Sequence, residues 1–376
     1  MRHRPRHRHR RAPQRLWLPV GVVAVVALVG AVVYGVNLLN QQVPGDPALL
    51  SALPSQNAAQ NTAPPPAVAP STNAPAVTPK PAPAKAPSAG GGPGRSGLAW
   101  QSGIVVGPPS EVKAWEGFRG RTVDVVHGFT ERGSWDGIES ADWILSDYAK
   151  APVKLVISQP FWPEGSGGSL KACAGGAYDA NWARYGKALK AAGRTDAYTR
   201  LAWEFNGDWF EWSATDVGAW KQCFRRVVTA VRSTAPGARF EWNLNAHGSQ
   251  TAGGSAWNAY PGDDVVDVVG IDAYDHYPSS PSAAAFDEQC NDSEGLCNVI
   301  KFARKHGKKV GVTEWGVTKD GGDNPVYIQK MFATFQAAKD VMAYETYFNS
   351  GEEGNALVNP SQHPDAAAAY RRLFGR

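Results

Sequence analysis

Between Leu98 and Arg376, short β-branched runs alternate with amphipathic helical stretches eight times over, and few folds accommodate that rhythm. The strand candidates are Gly103–Gly107, Thr122–Phe129, Val153–Phe161, Thr199–Asn206, Arg239–Ala246, Val268–Tyr274, Lys309–Trp315 and Val341–Asn349. Helical patterns such as Ala180–Ala192, Asp216–Thr234, Cys297–His306 and Pro325–Asp340 lie between them. Strands alternating with helices imply βαβ units and a parallel sheet. Eight such units in this length fit a closed α/β barrel, the (β/α)8 or TIM barrel. An open doubly wound sheet is the alternative, but it normally carries a glycine-rich first turn for a nucleotide. Neither GxGxxG nor GxxxxGK[ST] occurs, and the cluster GSGGS at 165–169 follows the third strand as a loop.

The residues before the barrel have a different texture. Residues 1–15 hold seven arginines and no acid, and residues 16–39 hold no charge at all. Those 24 residues would form a helix of about 36 Å, enough to cross a hydrocarbon core of about 30 Å. A cleaved signal peptide usually has a shorter apolar stretch and a small-residue cleavage site, so a transmembrane signal anchor over 16–39 is expected, with secretion after cleavage as the alternative. Arginine on the N-terminal side predicts a basic cytoplasmic tail, 1–15, with the rest of the chain outside the cell. Residues 40–97 are Pro, Ala, Ser, Gly, Asn and Gln with hardly an aromatic, a composition that cannot bury enough apolar surface to order itself. They read as a disordered Pro/Ala-rich linker, and the barrel domain is expected over 98–376.

Charge narrows the function. The first 97 residues contain ten of the 38 Lys+Arg and one of the 34 Asp+Glu, which leaves 28 basic and 33 acidic side chains and a formal net charge of −5 on the barrel. A mildly acidic domain lacks the electrostatic footprint of a nucleic-acid binder. Cys173, Cys223, Cys290 and Cys297 all fall in the barrel. An even number outside the cell suggests two disulfides. Three pairings are open, of which Cys173–Cys223 with Cys290–Cys297 is preferred over the others and over a zinc site, since no CxxC or HxxxH spacing is present. No metal or other cofactor is expected, and the chain is expected to act as a monomer.

Catalytic groups of such barrels sit where strands end and the βα loops begin. The fourth strand ends LAWEFNGDWFEW and the seventh VGVTEWG, which puts Glu204 and Glu314 at two roughly opposite strand tips. Glycoside cleavage needs such a pair. One carboxylic acid, its pKa raised by burial, protonates the leaving oxygen; the other, ionised, attacks the sugar carbon or activates water. Buried salt bridges would explain one such glutamate, but two, each flanked by tryptophan, favour catalysis. No GxSxG elbow points to a serine hydrolase.

These glutamates resemble the acid/base and nucleophile of the clan A glycoside hydrolases. Glu204-Phe205-Asn206-Gly207, followed by Trp209 and Trp212, is most similar to glycoside hydrolase family 26, known for β-mannanases, which typically reads His-Glu-Met-Asn-Gly here. Val269-Gly270-Ile271-Asp272-Ala273-Tyr274 resembles that family's sixth strand, whose tyrosine commonly hydrogen-bonds the nucleophile. The resemblance implies a retaining, endo-acting enzyme on a β-linked polysaccharide, Glu204 as acid/base and Glu314 as nucleophile, with the carboxyls roughly 5–5.5 Å apart. Trp203 departs from it, standing where family 26 usually has histidine. Sugars stack C–H faces on aromatic rings and need polar partners at the rim. Trp162, Trp203, Trp209, Trp212, Trp242, Tyr274, Trp315 and Tyr347 are therefore expected in sugar subsites, with His127, Asn206 and Asn245 as polar contacts. Tyr277 belongs to the same group. A catalytically inactive carbohydrate-binding or cell-wall-associated protein on the same barrel is the alternative reading.

Overall fold

The computed structural model describes residues 94–375. The expected tail, membrane span and nearly all of the expected linker lie outside those residues. Among the described residues no helix is long and apolar enough to cross a membrane. The folded part starts a little earlier than Leu98, because Ser96 is buried and its amide and hydroxyl both donate to the Asp124 carboxylate, at 2.9 and 2.5 Å.

Eight parallel strands pair in chain order, and β1 pairs with β8 to close the barrel. They are β1 (Gln101–Val105), β2 (Val125–Phe129), β3 (Lys154–Gln159), β4 (Tyr198–Leu201), β5 (Arg239–Asn245), β6 (Val268–Tyr274), β7 (Lys309–Gly316) and β8 (Met342–Phe348). The helices are α1 (Pro109–Arg119), α2 (Trp135–Ser140), α3 (Asp142–Tyr148), α4 (Leu170–Ala174), α5 (Asp179–Ala191), α6 (Val217–Thr234), α7 (Ala283–Cys290), α8 (Leu296–Lys305), α9 (Pro325–Ala337) and α10 (Pro364–Phe374). The α/β barrel expected from the alternation is the fold observed.

The longest helix among the described residues, α6, shows why these segments fold as they do. Asp216 caps it by accepting the Ala219 amide at 2.9 Å, and Trp220, Cys223, Phe224, Val227 and Val231 recur at helical spacing on the buried face. Pro236, two residues beyond its end, cannot continue the amide ladder. Both preferred disulfides are present, Cys173–Cys223 between α4 and α6 and Cys290–Cys297 between α7 and α8.

Two local departures from regular strand geometry position the site. The fourth strand, expected to run to Asn206, ends at Leu201 because Ala202 and Glu204 both take left-handed φ values of 49°. Non-glycine residues hold that conformation only where the surroundings impose it, and such strain gathers at functional sites. In β7 the register slips: Ile271 pairs with Val312, but Asp272 pairs with Glu314, so Thr313 is an extra residue in a bulge. Strict alternation would send Thr313 and Glu314 to opposite faces. With the bulge, Thr313 bonds Glu241 inside the barrel and Glu314 bonds Arg200 in the layer above, while Trp315 turns outward to the helices.

The barrel interior is filled in layers. At the floor Tyr198 and Tyr344 stack with ring centroids 5.5 Å apart, among Val125, Val156 and Val268. Above them Glu241 accepts from both Thr313 and Tyr344, and a Cβ on Gly270 would stand 2.1 Å from its Oε1, so a side chain there would displace Glu241. The next layer up holds Arg200, Asn243 and Asp272, all fully buried. The C-terminal mouth above is where Glu204 and Glu314 meet.

Candidate active site

Glu314 is 8% exposed and its two oxygens have separate partners. Arg200 Nη1 donates to Oε1 at 2.6 Å and the Tyr274 hydroxyl donates to Oε2 at 2.7 Å. Burial first, and then the charge of Glu314, hold the Tyr274 hydroxyl far above its ordinary pKa, so it remains a donor. Arg200 is itself pinned: its other nitrogen donates to Asp272 and to Asn243 Oδ1, Nη1 also reaches Ser158 Oγ at 3.0 Å, and the guanidinium lies 5.3 Å from the centre of the Trp203 ring. A guanidinium shared by two buried carboxylates, with side chains fixing its orientation, defines where Glu314 points.

Glu204 is half-buried and is held differently. Asn245 Nδ2 donates to Oε1 at 2.8 Å and Trp209 Nε1 donates to Oε2 at 2.9 Å, while no cation touches it. Burial raises its pKa from the ordinary carboxylate value, the charge of Glu314 adds to the rise, and Asn245, Arg200 and Trp209 partly oppose it. Burial also pushes Asp272 well up, with Arg200 pulling it back. Three carboxylates around one guanidinium would leave a net charge of −2, so the cluster favours holding a proton, and Glu204 is the member open to the mouth.

The other residues singled out from the sequence divide sharply. Trp209 is 43% exposed beside Glu204, Tyr274 is half-buried on Glu314, and Asn245 contacts Glu204. The rest correct the expectation of sugar contact. Trp212 is fully buried and donates to the Trp203 carbonyl at 2.9 Å. Trp242 lies outside the barrel wall among Phe205, Tyr260 and Phe302, and Trp315 donates to Glu345 at 2.7 Å under the helices. Trp162 is 1% exposed and donates to Glu211, a loop carboxylate that also accepts the Gly165 amide. Tyr347 stacks on Trp115 and donates to the Asn355 carbonyl, and Asn206 ties the β4 loop to Asn245 and Glu294. Trp203 is 2% exposed, packed between Phe129, Phe210 and Trp212. His127 is fully buried between the Thr313 carbonyl and Ser158, its pKa pushed well down by burial and by Arg200, so it supports the site from below as a neutral ring. Glu345 lies between β8 and the helices.

Arg200 was missed from the sequence. The signal existed: an arginine inside the short strand Tyr198–Leu201 can be buried only if paired. Among the described residues no group of His, Cys, Asp and Glu could hold a metal ion.

Residues 181–308 match the model of glycosyl hydrolase family 26, a stretch that takes in Glu204, Asn245 and Tyr274 and stops short of β7. Over that stretch the chain is similar to this family. Endoglucanase H of Acetivibrio thermocellus is 24% identical over 298 residues, 73% of this chain and 31% of that protein. Mannan endo-1,4-beta-mannosidase of Bifidobacterium adolescentis is 31% identical over 120 residues, 31% of this chain and 12% of that protein. The chain thus spans less than a third of the length of either relative. A modular endo-beta-1,4-mannanase of Cellulomonas fimi shares the fold at a TM-score of 0.55 and 20% identity, over 74% of this chain and 71% of that one. GH26C of Muricauda does so at 0.55 and 16%, over 74% and 86%. The family match and the curated relatives together make this barrel similar to glycoside hydrolases over the stretches they cover.

Proposed function

We propose that the chain is a retaining, endo-acting hydrolase of a β-linked polysaccharide, working as a monomer outside the cytoplasmic membrane. The observation that carries this reading is the unequal environment of the two glutamates. Glu314 faces a guanidinium and a phenol that favour an anion; Glu204 faces burial and a like charge that favour the acid. In the first step Glu204 gives its proton to the glycosidic oxygen as a Glu314 oxygen bonds to the anomeric carbon and the leaving group departs. In the second, Glu204, now a carboxylate, takes a proton from water. The water oxygen bonds to the anomeric carbon, and Glu314 is released. Arg200 and Tyr274 stay in place through both steps and receive the charge that returns to Glu314.

The names of the relatives suggest mannan and glucan as first substrates. Exposed Trp209 beside Glu204 supports a cleft that holds more than one sugar. The charge-free stretch 16–39 and the Pro/Ala-rich stretch 40–97 support an anchored domain on a long tether, with 1–15 cytoplasmic and the barrel projecting toward the cell wall.

The test is hydrolysis by the full chain of β-mannan, β-glucan, xylan, arabinan and native cell-wall polysaccharide. Glu314→Gln should lower the rate on the responsive polymer by on the order of a thousandfold or more while still binding it. Release that survives Glu314→Gln, or no release from any polymer, sinks the proposal.

A further inference from the structure

Among the described residues only two large hydrophobic side chains are exposed, Trp209 at 43% and Tyr277 at 65%. Scattered surface aromatics need no explanation, but both of these lie on loops at the C-terminal mouth, Trp209 beside Glu204 and Tyr277 just past the end of β6. Trp209 bonds Glu204 directly. Tyr277 connects to Glu314 through a file of rings: its centroid is 4.4 Å from that of His276, His276 is 5.7 Å from Tyr274, and Tyr274 donates to Glu314.

The loop that presents Tyr277 is tightly held. Asp275 accepts the Ser280 amide at 2.6 Å and the Asn324 side chain at 2.7 Å, and Gln289 donates to the Pro278 carbonyl at 2.7 Å just before the Cys290–Cys297 bridge. Tyr277 itself takes a left-handed φ of 51°. An exposed ring on a strained but well-tied turn costs stability without adding core, and such strain gathers at ligand contacts. Behind it lies a cavity of about 90 Å³, lined by Tyr274, Tyr277, His247, Gln289 and Asp292 among others. That is far below the several hundred Å³ of a small-molecule pocket, so it admits the edge of a sugar and not a whole one. His247 Nε2 is buried there with no partner. Burial lowers the His247 and His276 pKa values to about 4 and about 3, so both rings are neutral in ordinary buffers. The His247 ring forms part of the cavity wall.

We propose that Tyr277, backed by His276 and rimmed by His247, is a stacking platform for one sugar ring of a polysaccharide chain, on the Glu314 side of the cleft. This extends the polysaccharide reading above and names the second wall of its cleft. Stacking needs the ring and not the phenol.

The test uses the full chain carrying Glu314→Gln, run by affinity electrophoresis through gels containing soluble glucomannan or β-glucan. Adding Tyr277→Ala should weaken the apparent affinity for the retarding polymer by on the order of tenfold, while Tyr277→Phe keeps it within roughly twofold. Matching melting curves exclude a folding loss. Equal retardation of all three, a Phe variant as weak as the Ala variant, or no retardation in either gel overturns the platform. Hydrolysis by the chain with Glu314 intact is measured alongside. Polymer cleavage without a Tyr277 effect on binding overturns the platform alone, and Tyr277-dependent binding without cleavage overturns the hydrolase reading alone.

Discussion

At the scale of single residues, the proton on Glu204 is set by a short list of neighbours, and one of them can be removed cleanly. Asn245 donates to the carboxyl at 2.8 Å, and that bond stabilises the ionised form, offsetting part of the rise due to burial and Glu314. Without the donor the pKa of Glu204 rises further. The alkaline limb of kcat/KM, which reports loss of the acid's proton in the free enzyme, should therefore move to higher pH in Asn245→Ala. A pH–rate profile with an unmoved or more acidic limb would contradict the assignment of Glu204 as the acid. The two glutamates were legible in the sequence because strand ends can be counted. The tryptophans were misread because a strand end has two faces, and Trp242 and Trp315 point to the helices. Arg200 escaped notice because its partners, Asp272 and Glu314, lie 72 and 114 residues away and only barrel closure brings them together.

At the scale of elements, the strands and major helices were readable to within a few residues, from Val268–Tyr274, which is unchanged, to the β4 strand, which ends early. What the periodicity could not carry were the irregularities: the left-handed turn at Ala202 and Glu204, and the Thr313 bulge. Both depend on side chains of other strands, Asn243 beneath Glu204 and Glu241 beneath Thr313. The cross-links, by contrast, make a prediction that needs only chain lengths. Cys173–Cys223 closes a separation of 50 residues and Cys290–Cys297 one of 7. By loop-closure entropy the first is worth about 4 kcal/mol and the second about 2. Replacing Cys173 and Cys223 with serine should lower the guanidinium midpoint more than replacing Cys290 and Cys297. The reverse order would show that the short bridge matters chiefly by holding the α7–α8 junction in the native state.

At the scale of the whole molecule, the buried carboxyls give the barrel a pH dependence opposite to that of its surface. Paired surface groups such as Glu139, Asp264 and Asp340 have lowered pKa values, chiefly through hydrogen bonds to Arg184, Arg225 and Arg304. Their contribution is present above the ordinary carboxylate range and is lost as pH falls through their folded values. Glu241 and Glu345 are raised by burial from an ordinary 4.5 to about 7. The folded state keeps protons that the unfolded chain would release, so their contribution is complete below about pH 4.5 and lost as pH rises to about 7. Stability should therefore peak in mild acid, below neutrality. Glu345 offers a way to isolate the effect, since it lies under the helices away from the mouth, with one oxygen accepting from Trp315 and the other unpartnered. Glu345→Gln mimics the protonated acid at every pH. Its melting temperature should fall less than that of the unaltered chain between pH 4.5 and 7, leaving the slope due to the other raised carboxyls, Glu241 among them, and calorimetry across that range reads the difference. Parallel curves would mean that Glu345 is already ionised in the folded barrel, with Arg119 close enough to keep it so.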